Sequence, residues 1–288
     1  MGCIMADTDI RAGMILVWFV YGLAFFVLGL AILVYPKKQS VFKLAKDINL
    51  IAFFGIIHGI NEWLDMFIEL EGPISVEILK VLRMATLGGS FIFLVRFGTK
   101  VIADRYQKMR PLEALPVVLL GSWLAVLATS DRHLLMGDIW GRYLLCFTGS
   151  TLTAIGLFLW VRQFEAAKLH RATINLRIAG VAFLVYAILA GVFVKNVDFF
   201  PASVLNYDIF MSTFGFPIQI CRAVCAVVLA VSMVNLLSIF RWETREALRR
   251  SEHRCSTIAS ATPIILFVQD VNSVITFIQG KGLELVGL

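Results

Sequence analysis

The string INLIAFFGIIHGINEWLDMFIEL, residues 48–70, can cross a membrane only if other helices surround it. A span takes about 20 mostly apolar residues, and this stretch qualifies. It also carries His58, Asn61, Glu62 and Asp65. His58, Glu62 and Asp65 are spaced i, i+4, i+7. At about 100° per residue they share an arc of roughly 60°, with Asn61 beside it. A lone ionised group at that depth costs at least about 2.5–3.5 kcal/mol on insertion scales. The polar face must therefore turn inward and find partners on neighbouring helices.

The rest of the chain supplies those neighbours. Of 288 residues, 59% are hydrophobic and 16% charged, and the mean hydropathy is +0.83. Soluble domains sit nearer about 45–50% apolar and about 25% charged. Seven stretches are apolar enough to span: 13–35, 48–70, 76–97, 113–130, 141–162, 175–195 and 213–240, the fourth being the shortest. Short connections favour antiparallel neighbours in a compact bundle. Neither half of the bundle repeats the other, which speaks against an inverted-repeat transporter. The expected class is an all-α membrane protein with a seven-helix domain over 1–240. A connector helix follows over 241–260, and a small α+β segment over 261–288.

Basic residues set the expected orientation. Lys37, Lys38, Lys43 and Lys46 lie in the first connection, and Arg96, Lys100, Arg105, Lys108 and Arg110 around the third. Arg162, Lys168, Arg171 and Arg177 lie around the fifth, and Arg241, Arg245, Arg249, Arg250 and Arg254 follow the last span. With seven spans these fall on one side. The other side has Arg11, Arg132, Arg142 and Lys195 among more acidic residues. The positive-inside rule then puts the N-terminus outside and the C-terminus in the cytoplasm. Charge scattered over loops does not form a nucleic-acid patch, although the net charge is +6. Residues 195–211, KNVDFFPASVLNYDIFM, form the longest outer loop, an aromatic-rich one suited to the outer interface.

The five cysteines show no metal-ligand spacing, and Cys146, Cys221 and Cys225 read as small buried hydrophobes. Ala6 stands where N-myristoylation wants Ser or Thr, and the first apolar run lacks a signal-peptide cleavage site.

Partners for the 48–70 face lie on the third and seventh spans, in Lys80, Arg83 and Arg222. With a rise of about 1.5 Å per residue, Asp65 and Lys80 both fall about 9 Å from the midplane. Glu62, Arg83 and Arg222 fall about 4–6 Å from it, and His58 near the middle. Equal depth pairs Glu62 with Arg83 and Asp65 with Lys80, leaving Arg222 to join either. Such a cluster has three uses: setting helix register, forming a polar pocket for a small ligand, proton or ion, or ligating a metal or haem through His58. A single histidine with two nearby carboxylates is a thin metal signal. No cofactor is implied.

Beyond the last span, no Pro or Gly interrupts residues 240–260, and Leu248 and Cys255 form a short heptad hint. Then LRRSEHRCSTIASATPIILFVQD and VITFIQGKGLELVGL read helix, strand, turn, strand, helix start. This order resembles the opening of a PAS domain. Phe277, Gly280, Lys281, Gly282, Leu283, Glu284, Gly287 and Leu288 fit a variant with a Gly-Lys-Gly-Leu turn, and Ser273 stands where a turn glycine is usual. The resemblance covers about 40 residues of a module that runs to about 100, so a fragment this short is expected to leave IILFV and VITFI as exposed edges. The first third, with His58, Gly59, Asn61, Glu62, Trp63 and Asp65, is similar to the membrane region of bacterial sensor histidine kinases and diguanylate cyclases.

That resemblance implies a sensory input module in the bacterial inner membrane. It would relay a signal through the last span to a PAS domain and then to a histidine kinase of a two-component system, or to a diguanylate cyclase. The chain itself is expected to hold no catalytic residue, its output domain lying elsewhere. The lipid bilayer and an unknown small ligand, ion or proton are the expected partners, together with homodimerisation if the output is a kinase. A proton- or ion-coupled transporter and a haem-binding membrane protein are the competing classes.

Overall fold

The computed structural model describes residues 2–35, 44–70, 72–261 and 266–279. Seven of its helices are long and apolar enough to cross a membrane. Helix α1 is Gly2–Val34, followed by the short α2, Leu44–Asp47, and by α3, Asn49–Leu70. Helix α4, Val76–Arg105, passes through a 3-10 turn at Gln107–Ala114 into α5, Leu115–Thr129. The fifth span is one composite rod of α6 (His133–Trp140), a π-helical segment Gly141–Phe147, and α7 (Thr148–Ala166). Helices α8 (His170–Gly191), α9 (Tyr207–Phe214) and α10 (Ile218–Ala261) complete it. The described residues fall into two units, divided between Ile239 and Phe240.

Charge pairs at the helix ends record the antiparallel alternation. Arg11 near the start of the first span lies 3.6 Å from Glu69 at the end of α3. At the opposite end, Lys100 of α4 pairs with Asp47 at 2.5 Å and Arg96 with Glu113 at 3.3 Å. Arg177 pairs with Glu165 across the α7–α8 connection.

Two kinds of packing build the bundle. Glycines let α1 and α3 approach with their backbones in contact. A Cβ on Gly55 would sit 2.6 Å from the Phe25 carbonyl oxygen, and one on Gly59 would sit 2.6 Å from that of Gly22. Elsewhere the core is aromatic: Phe25, Phe54, Phe91, Phe183, Tyr21 and Tyr186 are fully buried around His58. Helix α5 has only two buried residues, Pro116 and Trp123. The Trp123 indole donates to the Gly137 carbonyl at 2.8 Å and lies against Gly88 and Gly141, where no larger residue would fit. This one anchor explains why the fourth span is so lightly held.

Several span limits differ from the sequence expectation; the third, for one, runs on to Arg105 rather than ending at 97. The fifth begins at His133 rather than 141, because α6 and the π segment extend α7 toward its N-terminus. The sixth ends at Gly191 rather than 195. The seventh starts at Ile218 rather than 213: Gly215 is left-handed, φ 77°, and stops α9 before α10 begins. Residues 192–217 thus form a structured cap. Val194 and Asn206 bridge, Asn206 caps α9 by accepting from the Ile209 amide at 3.0 Å, and Ile139, Val194 and Ala202 make a small core.

In the second unit, strands β1 (Leu266–Gln269) and β2 (Ile275–Gln279) form an antiparallel hairpin. The Asp270 carboxylate accepts from the Asn272 and Val274 amides at 2.8 and 2.9 Å, holding the turn. Ser273 takes φ 62°, the conformation a glycine would adopt most easily. The expected hairpin is therefore present. Both its faces expose apolar residues: Phe267, Val268, Ile275, Phe277 and Ile278 are all open. The expected helix start at Gly280 to Leu288 lies outside the described residues. On α10 itself, Cys255 and Ile258 are exposed.

Candidate functional site

Two connected polar arrays occupy the bundle. The first is an ion-pair chain. The Arg83 Nε donates to Asp65 at 2.6 Å, and its Nη1 donates to Asp138 at 2.8 Å. The other oxygen of Asp138 accepts from Arg142 Nε at 3.4 Å, and Arg142 Nη1 donates to the Ala190 carbonyl at 3.2 Å. Asp65, Arg83, Asp138 and Arg142 therefore alternate in sign and tie α3, α4, α6, the π segment and α8 together. Two carboxylates balance two guanidiniums, which is what makes such charges tolerable away from water.

The second array is a hydrogen-bonded chain centred on His58. Its Nδ1 meets the Ser90 hydroxyl at 3.1 Å, and its Nε2 meets the Tyr186 hydroxyl at 2.7 Å and Glu62 at 3.2 Å. Tyr186 continues to the Tyr21 hydroxyl at 2.7 Å. The Asn61 amide donates to Glu62 at 3.1 Å and accepts from Thr86, also at 3.1 Å. Phe54 stacks on the imidazole at a centroid distance of 5.0 Å, and Phe91 lies 4.8 Å away. The chain joins α1, α3, α4 and α8 in the middle of the bundle. Removing its central hydroxyl with Tyr186→Phe should lower stability by about 1 kcal/mol, read as the thermal midpoint in nanodiscs. Tyr21→Phe should cost less, since His58 keeps its own partners.

The expected pairings are corrected by one helical turn. Asp65 pairs with Arg83, not with Lys80, which is exposed and makes no ion pair among the described residues. Glu62 meets His58, not Arg83. The reason is side-chain slant. Side chains lean toward the N-terminus of their own helix. In antiparallel α3 and α4, the Asp65 carboxylate therefore leans inward and the Arg83 guanidinium leans outward. They meet across a difference in backbone depth that a Cα estimate counts as a mismatch.

Arg222, 1% exposed, joins neither acid. It donates from Nε and Nη2 to the Leu189 carbonyl at 2.9 and 2.7 Å, and from Nη2 to that of Phe193 at 2.9 Å. Its Nη1 donates to the Tyr207 hydroxyl at 3.3 Å, and the guanidinium lies 5.0 Å above the Tyr207 ring centre. Carbonyls at and just past the C-terminus of α8, the negative end of that helix, take the place of a carboxylate.

Asp138, Arg142, Tyr186, Tyr21 and Ser90 were not among the sequence candidates. Asp138 and Arg142 are an i, i+4 pair, DIWGR, and starting the fifth span at 141 left Asp138 in a loop. The π segment, with its wider i to i+5 winding, carries Arg142 at the point where it reaches both Asp138 and α8. Among the described residues no three His, Cys, Asp or Glu side chains gather as a metal site, and both ring nitrogens of His58 are engaged by protein groups. No family model, curated protein or solved structure matches the chain.

Proposed function

We propose that the seven-helix block is the sensory input module of a bacterial membrane signal-transduction protein of the PAS-containing histidine kinase type. A diguanylate cyclase is the variant output. The carrying observation is the alternating chain Asp65–Arg83–Asp138–Arg142, which spans α3, α4, the fifth span and α8. Such a chain has discrete pairings, so a stimulus that breaks one link changes several helix positions at once. Lysine and arginine counts favour an outer N-terminus and a cytoplasmic C-terminus in the inner membrane. The hairpin after α10 supports the PAS part of the reading through its order and its Ser273 turn. The signal would travel along α10, and the chain itself carries out no catalytic step.

The test is a chimera of residues 1–260 with the output half of a kinase. Asp138→Asn and Glu62→Gln should each lock or silence output while the protein still inserts, and Lys80→Gln should behave as the parent. If all three respond as the parent does, the arrays only set helix register. Proton flux in proteoliposomes that vanishes with Asp65→Asn would replace the receptor by a transporter.

A further inference from the structure

The cap between α8 and α10 exposes more apolar surface than a connection bathed in water normally does. Phe200 is 80% exposed and Phe214 57%, and Val204, Ile209, Met211 and Phe216 are open as well. At about 100° per residue, Tyr207, Phe210, Met211 and Phe214 of α9 fall within an arc of roughly 100°. Asp208, Ser212 and Thr213 lie outside that arc, and Ile209 is the apolar exception among them. Phe210 is buried and packs on Phe193 with ring centres 5.4 Å apart, so one edge of the apolar arc grips the protein while Met211 and Phe214 are left open. On either side in the chain, α8 and α10 expose Val185, Ile188, Ile220 and Val224 at the same end. The apolar arc of α9 thus lies in the chain between the ends of two spans that also expose apolar residues there.

We propose that α9 lies in the headgroup–acyl boundary of the leaflet at this end, and that it couples the state of that leaflet to α10 through Tyr207 on Arg222. An amphipathic helix of this kind buries its apolar side at the acyl boundary and keeps its polar side in water. Arg222 is the link. It is buried on α10, has no carboxylate partner among the described residues, and shares its donors between the end of α8 and the Tyr207 hydroxyl. A tilt of α9 moves the hydroxyl and ring that complete the Arg222 site. The membrane contact stands by itself, and only the coupling rests on the input-module reading.

Both parts are testable on the full chain in nanodiscs. With p-benzoylphenylalanine in place of Phe214 or Met211, ultraviolet irradiation should add the mass of one phospholipid, and in place of Ser212 it should not. No lipid adduct at 214 would put α9 in water, and an equal yield at 212 would deny it a lipid-facing side; either result ends the proposal. For the coupling, hydrogen–deuterium exchange over residues 218–226 should differ between nanodiscs of short-chain and long-chain phosphatidylcholine. Tyr207→Phe should abolish that difference. Equal exchange in the two bilayers for the parent, or a difference retained by Tyr207→Phe, would overturn it. Loss of kinase-chimera response with lipid adducts intact separates a failure of the signalling reading from a failure of this one.

Discussion

Arg83→Met should destabilise the protein by about 3–5 kcal/mol, the cost of leaving a buried carboxylate without its cation. Arg83 holds two acids at once, Asp65 at 2.6 Å and Asp138 at 2.8 Å. Asp138 keeps Arg142, but only at 3.4 Å, and Asp65 loses the ion pair that holds it. Arg83→Lys should recover part of the loss, because a single ammonium cannot serve two carboxylates in the forked geometry of guanidinium. Asp65→Asn combined with Arg83→Met should cost less than the two single changes summed, since each removes the reason for the other's penalty. Thermal unfolding in nanodiscs measures all four. An Arg83→Met protein within about 1 kcal/mol of the parent would mean that the chain is a surface-like pair of small worth.

How far the sequence carried depended on the length scale of each signal. Spans are legible because lipid imposes a minimum apolar length, and all seven appear. Their ends are less legible, since α6 and the cap residues 192–217 are governed by local capping at Asn206 and Gly215 rather than by hydropathy. The inward face of α3 was legible from spacing alone: His58, Asn61 and Glu62 are buried and Asp65 nearly so. Its partners were not. Pairing depends on side-chain slant and on which face of α4 turns inward, and Lys80 faces out while Arg83 faces in. Tyr186 and Tyr21 look like ordinary core aromatics until their hydroxyls are seen to meet at 2.7 Å. Arg222 defeated the search for an acid because its partners are backbone carbonyls, which sequence does not display.

The arrays also depend on a glycine seam that contributes no side-chain hydrogen bond of its own. His58 and Glu62 sit on the same turns of α3 as Gly55 and Gly59, whose backbones touch α1. The Gly-x-x-x-Gly spacing of 55 and 59 faces Gly22 and Gly29, and a Cβ on Gly29 would meet the Ala52 carbonyl oxygen at 2.5 Å. In lipid no hydrophobic effect drives helices together, so this close fit is a principal source of the α1–α3 attachment. Gly55→Leu and Gly59→Leu should each cost about 3 kcal/mol or more, at or above the usual overpacking range, because the opposing atoms are backbone and cannot swing away. Separation of α1 would also carry Tyr21 away from Tyr186 and open the His58 chain. Gly121→Leu is the matched control, since a Cβ there meets nothing within 4 Å. The monodisperse fraction in size-exclusion chromatography should collapse for the α3 variants and stay at the parental level for Gly121→Leu. If Gly55→Leu runs as the parent does, α1 is held to α3 by something other than this seam.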